Sequence, residues 1–242
     1  MSMILHCGSE EVTRAQVEAV PVPTPTHSWR PVPYADAISF LYDQIRSNLG
    51  LEIESERYGL NKAGDQMFAL ATLKTEREDN GLSIGLRQSY NKSLALGVAV
   101  GANVFVCDNL CFSGDAFKVV RRNTLNVWAD FRALVAVQVA GSLGHYEAVN
   151  AECDALKAVP CDLRRGYEVL GVALGEGVLT PTQATVAFED WKRPRHEDFS
   201  DRNLYSLYNC ATEGLKKGAP ARILDRHARA HAFFTELRGV TA

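Results

Sequence analysis

No apolar run in this chain reaches the ~18 residues expected of a membrane span. The N-terminus lacks a basic stretch followed by a long apolar one, so no secretory signal is expected either. Six cysteines are too few and too scattered for a disulfide scaffold. Cys7, Cys153, Cys161 and Cys210 stand alone, and Cys107 and Cys111 lie in or beside a strand-like run. Free, mostly buried thiols in a reducing cytoplasm are the expectation. Zinc sites normally pair C-x2-C or histidine ligands, and Cys107-x3-Cys111 has no second knuckle, so no metal is expected. There is no Gly-rich phosphate loop and no H-E-x-x-H, and no cofactor is expected. No internal repeat appears.

What is present is ordinary globular material: 46% hydrophobic and 23% charged residues in 242, enough for a substantial core. Net charge is −3, unevenly spread. Met1–Asp115 carries 9 basic and 14 acidic residues, Ala116–Trp191 carries 7 and 9, and Lys192–Ala242 carries 10 and 6. A basic tail on an acidic body can mark a polyanion-binding face or a solvated helical surface.

The pattern along the chain predicts an extended Pro-rich arm over 1–33, with Trp29 as its anchor, and a single α+β domain over 34–242. That domain reads as sheet-rich over 51–120 and helical over 124–238. Ile38, Leu41, Tyr42 and Ile45 predict a helix over Tyr34–Leu49, stopped by Gly50. Alternation then predicts a hairpin around Asn61–Asp65, followed by strands Leu82–Gln88, Leu94–Val100 and Val104–Cys107. The sheet is expected to be a curved antiparallel one of five or six strands. From Thr124 the period becomes helical, and Trp128, Phe131, Val135 and Val139 predict a long helix. Pro160, Pro181, Pro194 and Pro220 separate further helices. The fold class is α+β: one helix, a curved antiparallel sheet, then a C-terminal set of helices.

Two groups of residues can carry chemistry. Arg222, Arg226 and Arg229 fall at helical spacing and form a one-sided stripe. Lys192, Arg193, Arg195, Lys216 and Lys217 extend it, and Arg121 and Arg122 can contribute from the sheet–helix junction. Guanidinium groups suit phosphates, and Tyr205 and Tyr208 can offer stacking faces to unpaired bases. The second group is Arg87, Asn91, Lys92, Asp108 and Asn109, at strand ends and turns. It reads either as a site for a small anionic ligand or as hydrogen bonds that lock sheet corners. His227 and His231 share a helix face, but with no third ligand they read as surface histidines. No catalytic residue is assigned, because the six histidines all lie outside the central polar block.

Four motifs carry a family resemblance. Thr24-Pro25-Thr26-His27-Ser28-Trp29-Arg30-Pro31-Val32-Pro33-Tyr34 opens the series, and Leu86–Ser93 with Val104–Asp115 forms its centre. Arg121-Arg122-Asn123-Thr124 and Leu204–Lys216 close it. In that order they resemble the phage- and plasmid-related proteins grouped as domain of unknown function 932. Tyr34, Tyr90 and Asn123 stand where that family's pattern has histidines, and Asn91 where it has an aspartate, which argues against a histidine-based active site here. The resemblance implies a mobile-element protein in the cytoplasm of a bacterial host cell. The order of elements is loosely similar to the core of single-strand annealing recombinases, an analogy of fold alone. The expectation is therefore a homo-oligomer that binds or anneals single-stranded nucleic acid without covalent chemistry. The alternatives are an enzyme or ligand binder at the polar corner, and a structural or host-interaction protein.

Overall fold

The computed structural model describes residues 9–77, 80–104, 109–111, 117–119, 126–217 and 223–240. Five strands form a continuous open antiparallel sheet in chain order: β1 (Ser9–Val12), β2 (Ile53–Asn61), β3 (Gln66–Leu73), β4 (Asn80–Ser89) and β5 (Gly97–Val104). Two three-residue strands, β6 (Asn109–Cys111) and β7 (Phe117–Val119), pair successive stretches of the far edge of β5. The helices are α1 (Arg14–Glu18), α2 (Tyr34–Leu49), α3 (Val127–Lys157), α4 (Leu163–Gly175), α5 (Pro181–Lys192), α6 (Leu204–Leu215) and α7 (Ile223–Val240). The order is thus α+β with a helical C-terminal half. No described helix is long and apolar enough to cross a membrane.

Register explains which face of the sheet is packed. Met67, Ala69, Ala71 and Leu73 stand opposite Gln88, Leu86, Ile84 and Leu82, so their side chains share one face. Val98, Val100 and Ala102 of β5 continue that face. These apolar residues join Ile38, Leu41 and Ile45 of α2 and Phe131, Val135 and Val139 of α3 in one buried cluster. Helical spacing in α2 and α3 and alternation in the strands therefore meet in a single core. Gly50 ends α2 in the left-handed region, at φ 62, where a side chain would be strained.

Two details differ from the sequence reading. The arm is not wholly extended: Ser9–Val12 pairs with β2, and Thr13 caps α1 with a reciprocal Gln16 bond. The strand expected over Leu94–Val100 starts later, at Gly97, and runs on to Val104 as β5; the rest of the strand expected over Val104–Cys107 lies outside the described residues. The Ser89 hydroxyl donates to the Leu94 carbonyl at 3.0 Å and accepts from its N–H at 2.8 Å, so the turn consumes the first residues.

The end of α3 is tied to the sheet side by charge. Arg77 grips Asp154 bidentately at 2.9 and 3.0 Å, and Lys157 adds a contact at 3.1 Å. The Arg77 bond is the main reason the Asp154 carboxyl is held below its ordinary range, with Lys157 adding to it. A depressed folded-state pKa stabilises above the unfolded value and is lost as pH falls through the folded one. The pair is half exposed, so Asp154→Asn is expected to remove only about 0.5 kcal/mol at pH 7. Urea denaturation at pH 7 and at about pH 2 checks this, since the difference should vanish where the wild-type carboxyl is protonated.

Candidate nucleic-acid interface

The helical half is organised around α6. Every residue from Leu204 to Leu215 is buried except Glu213, which is partly so. A helix buried all round must satisfy its polar side chains internally. Asn203 caps it by accepting from Ser206 N–H at 2.8 Å. Asn209 donates back to the Tyr205 carbonyl at 2.9 Å, and Thr212 to the Asn209 carbonyl at 2.9 Å. The Tyr208 hydroxyl meets His231 Nδ1 at 3.2 Å, and His231 Nε2 meets Glu152 at 2.6 Å. That chain of bonds ties α7 to α6 and α3 at once.

The histidines and Tyr205 correct the sequence reading. His227 and His231 are buried, not on the surface, because the face of α7 that carries them packs inward. Among the described residues no group of three or more His, Cys, Asp or Glu could hold a metal ion. Tyr205 and Tyr208 are buried as well, so neither offers a ring to a base. Tyr205 lies instead against Phe199 and under the Lys157 ammonium, 4.9 Å from its ring centre.

The predicted cationic stripe is divided. Arg195 bridges Asp190 at 3.2 Å and Glu213 at 2.6 Å, and Lys216 takes the other Glu213 oxygen at 2.6 Å. Two cations and two carboxylates thus cancel within α5, α6 and the turn after α5. Burial raises the Asp190 carboxyl above its ordinary value against the pull of Arg195, and burial also pushes up the neighbouring Cys210 thiol that bonds to it. Cys210 is therefore a protonated donor, not a nucleophile. Cys161 is likewise pushed up, to about 11, by burial. Cys153, Cys161 and Cys210 are buried and form no disulfide. Lys192 and Arg193 are exposed at the C-terminal end of α5.

Arg226 and Arg229 belong to the opposite end of α5, and Lys217 donates its N–H to the carbonyl of Gly214, which packs on the Gln183 main chain. Arg226 donates to the Gln183 side-chain oxygen at 3.1 Å, and Arg229 to the Glu176 main-chain carbonyl at 2.6 Å. Gln183 lies in the first turn of α5, which Thr180 caps. Gln183 and Lys192 are about 14 Å apart along that helix, so the exposed Lys192 and Arg193 stand apart from Lys217, Arg226 and Arg229. Both acceptors at this end are neutral, so the guanidinium groups are oriented while keeping their charge. Each such bond uses one of about five N–H donors. The exposed Lys217 follows directly on α6, and the first turn of α5 adds the partial positive charge of a helix start. Arg121, Arg122 and Arg222 lie outside the described residues.

The residues of the alternative ligand site do not converge. Arg87 stands at the Gly97 end of β5, while Asn109 pairs Val104 at the other, about 23 Å along the strand. Asp108 lies outside the described residues. Asn91 caps its own turn, accepting from Ser93 N–H at 2.9 Å and from the Ser93 hydroxyl. Lys92, at φ 65, sits over the Trp29 ring at 5.0 Å. Around them Gln88 donates to the Val32 carbonyl, and Tyr90 stacks on Tyr34 at 3.9 Å while accepting from its N–H. This corner fastens the stretch from Trp29 to Tyr34 to the sheet, which is a structural task.

Sequence reasoning missed Arg202. It donates to the Trp191 carbonyl at 2.5 Å and lies 4.5 Å from that ring's centre. Nothing in its spacing marks it, because the contact is made between a loop and a helix end. Comparisons of the chain with protein-family models, curated proteins and solved structures found no match.

Proposed function

We propose that this chain is a nucleic-acid-contacting protein of a mobile element that holds single-stranded DNA without covalent chemistry, through Lys217, Arg226 and Arg229. The observation that carries the reading is the pair of guanidinium groups held by a side-chain amide oxygen and a main-chain carbonyl. Cations positioned by neutral acceptors stay attractive to phosphate, whereas Arg195 and Lys216 face their own carboxylates. The four sequence motifs support the mobile-element context.

The test is fluorescence anisotropy with a labelled single-stranded 30-mer at about 50 mM salt, where phosphate contacts are strongest. Lys217→Gln/Arg226→Gln/Arg229→Gln is expected to weaken binding about tenfold or more. Because Arg226 and Arg229 also fasten α7, a second variant, Lys217→Glu, separates lost charge from lost fold. It should weaken binding several-fold with an unchanged melting temperature. No binding by the wild type, or equal affinity in all three proteins, removes the proposal.

A further inference from the structure

The outward side of α3 has no described partner. Its inward residues, among them Phe131, Val135 and Val139, enter the core, so the opposite side faces out. Between Arg132 and Glu147 the helix carries no charged residue. The outward positions there are Ala133, Ala136, Val137, Ala140, Leu143 and Gly144. Val137 is 67% exposed and Leu143 is 39% exposed, high values for large apolar side chains. A Cβ built on Gly144 meets nothing within 4 Å. At about 100° per residue, this arc together with Arg132 and Glu147 is centred on Ala140.

We propose that α3 pairs antiparallel with α3 of a second copy of this chain, about a two-fold axis passing beside Ala140. The charges identify the occupant. Arg132 and Glu147 are opposite in sign and nearly equidistant from Ala140, about 22 Å from one another along the helix. A two-fold axis at the midpoint brings each Arg132 to the partner's Glu147. A parallel pairing would set like charges against each other. Arg132 is already positioned, with its guanidinium 5.5 Å from the Phe40 ring centre and 5.0 Å from that of Trp128. Small side chains at the centre let the axes approach to about 8 Å, the close end of helix packing. A symmetric patch that complements itself closes into a dimer and does not propagate. One helix pair buries less than the ~1,200 Å² of a standard interface, so the dimer is a reversible one of micromolar strength. This inference is independent of nucleic-acid binding.

Sedimentation velocity of the full chain from about 1 to 200 µM tests it, a range that brackets micromolar association. The wild type should show a concentration-dependent monomer–dimer equilibrium. Ala140→Glu, an exposed change that leaves the melting temperature in place, should raise the dissociation constant about tenfold or more. Arg132→Glu and Glu147→Arg should each weaken the dimer several-fold, and an equimolar mixture of the two should recover it, because both cross-contacts are then opposite in sign. A wild type that stays monomeric overturns the proposal. So does a dimer insensitive to Ala140→Glu, or a mixture that fails to recover.

Discussion

Gly166→Ala is expected to cost about 3 kcal/mol and lower the melting temperature by about 6–12 °C. In an ordinary helix the same change would stabilise, since alanine is favoured over glycine by about 1 kcal/mol. Here the site is filled by the indole of Trp191. A Cβ on Gly166 would stand 2.0 Å from Trp191 Nε1, 2.4 Å from Cε2 and 2.8 Å from Cδ1. The indole cannot slide away. Its N–H donates to the Leu163 carbonyl at 3.2 Å, Arg202 lies over its ring, and the side chain is fully buried. Relief therefore requires α4 and α5 to separate. Gly171→Ala on the same helix is the control, because a Cβ there meets nothing within 4 Å. It should be neutral or stabilising by about 0.5–1 kcal/mol. Thermal denaturation of both variants decides, and an unchanged Gly166→Ala would mean the helices do not meet as described.

Glu213→Ala should be comparably damaging, at about 3–5 kcal/mol, because it takes a carboxylate away from a buried ammonium. Lys216 is only 5% exposed, and its contact with Glu213 is 2.6 Å. Arg195 keeps Asp190 after the change, so the loss falls mainly on Lys216. The paired replacement Glu213→Leu/Lys216→Met removes both charges and should be milder than Glu213→Ala alone, since the buried ammonium goes together with its carboxylate while Arg195 keeps Asp190. Urea denaturation measures both. A loss below about 1 kcal/mol for Glu213→Ala would place the pair in the class of exposed ion pairs.

The elements that were legible in the sequence are those whose pattern is local. Ile38, Leu41, Tyr42 and Ile45 repeat on one helical face and are all buried, and Gly50 stops α2 where expected. Thr180-Pro181 begins α5 through a cap that a few residues determine. Strand boundaries around Ser89–Leu96 were not legible. There, Ser89 captures the Leu94 backbone, and that side-chain bond outweighs the apolar alternation of Leu94 and Leu96. The cationic stripe was legible as spacing on α7 but not as a surface. Which cations are cancelled depends on Asp190 and Glu213, which come from two other helices and meet Arg195 only in the fold. Burial of His227, His231 and Tyr205 is missed for the same reason: α6 is enclosed on all sides, and no periodicity in its own sequence reveals that.

The salt dependence of single-strand binding tests the central claim most directly. Three phosphate contacts predict that log K falls with log salt with a slope of about −2 for a single strand. The slope for Lys217→Gln/Arg226→Gln/Arg229→Gln should then approach zero. Equal slopes in the two proteins, or a wild type whose affinity ignores salt, would contradict the account.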